Sequence, residues 1–196
     1  YQNSIADLLG SFSERREVGS ERGLKADYYG ARNFRNQKKV FSRTDSRIRF
    51  DFGDASPDPA NELTDEEAKA QRKKEKDAEN NKEKKEESGP AKFYRDEFAI
   101  KWTGSIITEE TGDYEFRLKS QNGARLFVNS DNKALIDAWV SSGPEVREHK
   151  ETIRLLGGRA YPFKVDYFKY KEKAASILIE WKPPHKTWEV IPPRFL

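Results

Sequence analysis

Between Phe98 and Trp139 the apolar residues fall on every second position. Phe98, Ile100 and Trp102 do so, then Tyr114, Phe116 and Leu118, with Lys101, Glu115, Arg117 and Lys119 in the gaps. A period of two puts successive side chains on opposite faces of an extended chain, so each run is a strand with one dry face. The residues between the runs are Thr111-Gly112-Asp113, Gln121-Asn122-Gly123 and Ser130-Asp131-Asn132. These types tolerate positive φ or bond back to their own backbone, which predicts turns. The stretch therefore reads as an antiparallel meander, with Asn122-Gly123 the strongest short hairpin signal in it.

The alternation continues on both sides. Leu24, Ala26 and Tyr28 predict a first strand, and Asn33-Phe34 opens a loop. Ile48, Phe50 and Phe52 predict a second strand, which ends at Gly53 before Pro57 and Pro59. Later, Ile153 and Leu155 lead into a turn at Gly157-Gly158, and Tyr161, Phe163, Val165 and Tyr167 form the next dry face, with Asp166 on a solvent-facing row. A hairpin at Lys171-Glu172-Lys173 leads to Ala175, Ile177, Ile179 and Trp181. Many short strands with almost no helix predict an all-β fold, a two-sheet antiparallel β-sandwich. Trp102 and Trp181 are expected between the sheets.

Residues 61–90 break this pattern with a run of charge that contains no aromatic residue. With only 35% apolar residues, the chain can fill a core from its 12% aromatic content only if this segment stays outside. Thr64 with Glu67 makes a capping box, and Asp65 to Lys69 and Lys82 to Glu86 are opposite-charge pairs at helical spacing. A solvated helix, or a helical hairpin broken at Asn80-Asn81, is expected, with little contact to the core. At the front, Ile5, Leu8, Leu9 and Phe12 recur at helical spacing, so residues 1–22 read as a short helix and linker preceding a sandwich over 23–196.

Several functions are excluded or disfavoured at this stage. The chain has no cysteine, which rules out thiol nucleophiles and thiolate metal sites. Its two histidines, His149 and His185, lie in no ligand spacing, and no carboxylate pair is placed for acid/base work, so the chain reads as non-catalytic. No apolar run approaches the roughly 18 to 20 residues of a membrane span. The net charge is +3 with acids and bases interspersed, unlike the gathered Lys and Arg of a nucleic-acid-binding face. A monomer is expected.

Read in order, Trp102-Thr103-Gly104, Thr111-Gly112-Asp113-Tyr114-Glu115-Phe116, Asn122-Gly123-Ala124-Arg125-Leu126 and Ile136-Asp137-Ala138-Trp139 resemble the protective-antigen-type (PA14) sandwich of flocculins, adhesins and some glycosidases. "GLKADYYGARNF", "LLGGRAYPFKVDYF", "IEWKPP" and "VIPPRFL" fit the same resemblance in register. The resemblance implies a jelly-roll-like sandwich, an extracytoplasmic place in a larger protein, and a sugar pocket at one end. The opening "YQNSIADLLG" resembles a domain of large bacterial cytochrome-like proteins; the alternative is a leader helix packed on the sandwich.

In the lectin members of this family two adjacent Asp residues before a Gly, with an Asn from a second loop, hold a calcium ion. Here Gln121-Asn122 stand before Gly123, and the second loop, 168–174, offers Lys169, Lys171 and Lys173. Ca²⁺ needs six to eight oxygens with carboxylates among them, so no cofactor is expected. The candidate ligand-binding residues are Gln121, Asn122, Gly123, Arg125, Asp137, Trp139, Lys169, Tyr170 and Lys171. Asp137 has Arg125 as a possible partner, and Trp139 reads either as core or as a sugar-stacking platform. An ammonium from the lysine loop in place of calcium would favour acidic glycans. Two functions follow: a carbohydrate-binding module that targets its parent protein to polysaccharide, or a structural sandwich that docks to other domains of the same polypeptide.

Overall fold

The computed structural model describes residues 22–81, 91–140, 143 and 145–196. The helix and linker expected before residue 22 lie outside these residues, as does most of the second half of the charged insertion. The elements are β1 (Leu24–Tyr29), β2 (Lys39–Asp45), β3 (Arg49–Gly53), α1 (Asp65–Asn81), β4 (Glu97–Thr108), β5 (Gly112–Gln121), β6 (Gly123–Val128), β7 (Ile136–Ala138), β8 (Arg147–Leu155), β9 (Arg159–Tyr170), β10 (Ala175–Lys182) and β11 (Glu189–Val190).

They form two antiparallel sheets. One has six strands in the order β2-β1-β4-β9-β6-β7; the other runs β11-β10-β5-β8, with β3 also paired to β10. The alternating apolar residues face each other between the sheets, and Phe98, Ile100, Trp102, Phe116, Leu118, Ile177 and Trp181 are essentially without solvent contact. Both expected core tryptophans are there. Truncating either to Ala would cost about 3 to 5 kcal/mol.

Trp102 also anchors a buried polar knot. Its Nε1 donates to Asp45 Oδ2 at 2.8 Å, the Tyr28 hydroxyl donates to the same oxygen at 2.6 Å, and Arg43 Nε donates to Asp45 Oδ1 at 2.7 Å. Asp45 lies on β2, a strand the alternation did not announce. Its burial pattern is irregular: Phe41 stacks on Tyr28 and packs against the core while only partly buried, and only Asp45 at its end is fully buried.

The expected meander is not formed. β4 and β6 belong to the six-stranded sheet and β5 to the other, so the chain changes sheet at both of its first two turns. Asn122, at φ +70°, turns a corner between sheets rather than closing a hairpin. The same holds at Lys171, at φ +58°, between β9 and β10. Turn-forming residues serve either geometry, since each needs only a left-handed backbone step.

The insertion is less detached than its composition suggests. The capping box forms: Thr64 N–H donates to Glu67 Oε2 at 2.9 Å and Glu67 N–H to Thr64 Oγ1 at 3.3 Å. From there α1 is tied to the sandwich by ion pairs Arg72–Asp96, Lys38–Glu75 and Lys92–Glu67, and the Arg72 guanidinium lies 4.8 Å over the Tyr94 ring. Long polar side chains cover apolar surface with their stems, so a helix without an apolar face can still dock.

Candidate functional site

The loop end where the resemblance places a sugar pocket is occupied by structural bonds. Asn122 is buried, and its Nδ2 donates to the Ala174 carbonyl at 2.9 Å. Gln121 Oε1 accepts from Ser176 Oγ at 3.0 Å, and its carbonyl accepts from the Tyr167 hydroxyl at 3.0 Å. These bonds lash the β5–β6 corner to β9 and β10. Among the described residues no group of three or more His, Cys, Asp or Glu side chains is placed to hold a metal ion. With neutral amides turned inward, this corner does not fit calcium.

Lys169 of the lysine loop is not directed at this corner. Lys169 is fully buried on the inner side of β9, where Nζ donates to the Asp54 carbonyl at 3.1 Å and burial holds its pKa below the usual lysine range. Lys171 is exposed, with Nζ 4.9 Å over the Tyr170 ring. The expected ammonium in place of calcium therefore loses its first lysine, because residue 169 shares the inward face of Tyr167.

The remaining candidates meet elsewhere, on the outer face of the six-stranded sheet. β9 is buried on both faces from Val165 to Lys169, and this is where the outer face is covered. Tyr29, Ala99 and Phe168 form a second apolar cluster outside the intersheet core, joined by half-buried Phe34, Trp139 and Tyr170. Trp139 packs edge-on against Phe168 with ring centres 4.7 Å apart and lies 5.9 Å from Phe34. Gly123 makes room for this: a Cβ there would stand 2.0 Å from Phe168 Cε1, so only glycine lets that ring lie over β6.

One register step away a row of charges crosses five strands. Asp137 faces Arg125, Arg125 faces Asp166, Asp166 faces Lys101, and Lys101 faces Asp27. The outer members are paired. Arg125 Nε donates to Asp137 Oδ1 at 2.9 Å, which holds the Asp137 carboxyl below its usual range. Burial pushes Asp27 upward, but bonds from Lys39 at 2.7 Å and Ser42 at 2.6 Å outweigh it and leave its pKa lowered.

Asp166 differs. It is 8% exposed, its Oδ1 has no hydrogen-bond partner, and it makes no ion pair among the described residues. Burial raises its pKa against the pull of Lys101, Lys164 and Arg125. Both flanking cations are turned onto rings, Lys101 Nζ 4.3 Å over Phe34 and Arg125 4.9 Å over Trp139. Asp166 is thus not on a solvated row, as the period-two reading has it. That reading placed it on the correct face, where its two cross-strand neighbours lie on rings, Lys101 on Phe34 and Arg125 on Trp139.

Of the candidates, Arg125, Asp137, Trp139 and Tyr170 share this outer face, while Gln121, Asn122 and Lys169 are bonded within the sandwich, to Ser176, Ala174 and Asp54. Asp166, Lys101 and Phe34 were missed. The available signal was Phe34, an aromatic residue in a polar loop with no strand of its own.

The sequence is 29% identical over 174 residues to anti-sigma-I factor RsgI3 of Acetivibrio thermocellus, covering 89% of this chain and 21% of that protein. A solved anti-sigma factor domain-containing protein is 26% identical with a TM-score of 0.65, over 89% of this chain and 48% of that one. The PA14 sugar-binding domain from an RTX adhesin shares the fold at 17% identity, with a TM-score of 0.55, over 89% and 97% of the two chains. The chain thus spans about a fifth of the curated relative and about half of the solved one. These matches give no support to the cytochrome-like context that the opening residues resemble. The two-sheet architecture and the family model matching residues 64–194 agree: the chain belongs to the PA14 domain family.

Proposed function

We propose that this domain is a non-catalytic carbohydrate-binding module of a larger extracytoplasmic protein, and that it binds without calcium. The observation that carries this reading is the half-buried aromatic cluster of Phe34, Trp139 and Tyr170 on an outer sheet face, beside the Arg125–Asp137 pair. A sandwich needs no aromatic residues outside its core, whereas a sugar is recognised by ring stacking and fixed polar groups. The anti-sigma factor relatives suggest what such binding is for: a module that reports polysaccharide to a transcriptional regulator of which it forms part. Single-site affinity near a millimolar Kd, about -4 kcal/mol, is sufficient when a polymer offers many sites.

The second reading, docking to a neighbouring domain, is favoured by one observation. Val140, directly after Trp139, is 67% exposed and extends the apolar surface. Affinity electrophoresis through dextran, xyloglucan, galactomannan and alginate separates the two. Retardation in at least one gel, equal in calcium and in chelator, is the expected result. Unchanged mobility in all four would reject sugar binding and leave docking, and retardation abolished by chelator would reject calcium independence.

A further inference from the structure

The aromatic cluster and the charge row form one closed circuit of contacts. Asp166 lies between Lys101 and Arg125, Lys101 rests on Phe34, Phe34 meets Trp139, and Arg125 rests on Trp139. At its centre is a carboxylate oxygen shielded from water and bonded to nothing. A buried acceptor without a donor costs stability, and two cations one strand away would relieve it by turning inward. Lys101 lies on Phe34 instead, and Arg125 lies on Trp139 with its Nε given to Asp137.

We propose that Asp166 is the floor of a saccharide site on the outer face of the six-stranded sheet, taking a vicinal diol of a neutral hexopyranose. One hydroxyl donates to the unmatched Asp166 oxygen, and its neighbour accepts from Lys101 or Arg125 as these lift from their rings. A partly exposed cation–π contact is weak enough to be exchanged for such a bond. The freed faces of Phe34 and Trp139 then meet the pyranose ring. Asp166 selects a neutral ligand, because a ligand carboxylate would meet its buried charge. This site lies apart from the Gln121-Asn122 corner, and the inference rests on the carbohydrate-binding reading.

The test is affinity electrophoresis in the same four gels with wild type, Asp166→Leu, Asp166→Asn and Asn122→Ala. Melting temperatures are measured in parallel. Wild type is expected to be retarded in a neutral gel. Asp166→Leu should lose at least tenfold in affinity while melting no lower than wild type, and Asp166→Asn, which keeps one acceptor oxygen, should fall between them. A residue with a merely structural role would lose stability along with binding. Wild-type retention in Asp166→Leu would overturn the site and leave sugar binding intact, as would loss in Asn122→Ala alone. Retardation confined to alginate would overturn the neutral diol. No retardation of wild type in any gel would overturn both the site and the reading beneath it. If Asp166→Leu does not fold, Asp166→Asn decides by the same criteria.

Discussion

Two buried aspartates in this domain face opposite fates. Asp45 accepts from Tyr28, Trp102 and Arg43, so both of its oxygens are used. Removing it strands two buried donors and a half-buried guanidinium. Breaking such a group from one side costs about 3 kcal/mol or more, so Asp45→Ala should lower stability by that amount in urea unfolding with an unchanged m-value. Asp166 has no partner, and its folded pKa is raised. Its proton is therefore held more tightly in the folded state. Below the unfolded carboxyl pKa both states are protonated and nothing is lost; as pH rises through the raised folded value, the fold pays a penalty that persists to neutrality. The groups facing it are Tyr29 on β1, Lys101 on β4, Arg125 on β6 and Lys164 on β9. Asp166→Leu should accordingly melt a few degrees above wild type at pH 7, from about 1 to 3 kcal/mol of relieved burial. The difference should shrink towards pH 4 in parallel thermal scans, and a gain that does not depend on pH would contradict this account.

Among the elements, α1 tests how far composition predicts contact. Its charge argues for a free arm, but Arg72 joins it to Asp96 and Tyr94, and Lys38 to Glu75. Each surface ion pair is worth at most about 1 kcal/mol and the cation–π contact about 0.5 to 1. Replacing residues 65–90 with a short Gly/Ser linker should therefore cost about 1 to 2 kcal/mol. For a domain of this size that is roughly 2 to 8 °C in melting temperature. Arg72→Ala alone should reproduce much of the drop, because Arg72 makes two of these contacts. An unchanged melting temperature in both variants would show that the helix root contributes nothing.

For the whole molecule, calcium binding is a matter of linkage. A site whose Kd is a hundredth of the added calcium would stabilise the fold by about 2.7 kcal/mol, a shift of roughly 5 to 10 °C. The inward-turned amides of Gln121 and Asn122 predict no such shift in millimolar Ca²⁺ by differential scanning calorimetry. A rise of several degrees, abolished by Asn122→Ala, would place an ion at that corner. Gly23, just before β1, donates its N–H to the Leu196 carbonyl at 3.3 Å. The Gln121 corner and the 168–174 loop lie at the opposite end of β5 and β10 from the Glu109–Gly112 turn.

Period-two alternation and the capping box were legible in the chain because each is local. Side chains two apart share a face whatever the strand pairs with, and Thr64 reaches Glu67 within one turn of helix. They located most strands, α1 and the core tryptophans. Pairing was not legible. Asn122-Gly123 states only that the backbone turns there, and whether the next strand stays in its sheet or crosses to the other depends on contacts far away in sequence. The site followed the same division. Asp137 next to Arg125 could be read from the residues, but the fate of Asp166 could not. Its face was fixed by alternation, whereas its burial arises on an outer face that also gathers Phe34 from one loop and Trp139 from the end of β7. That is a property of the assembled sheet, where strands distant in the chain bring their side chains into one row.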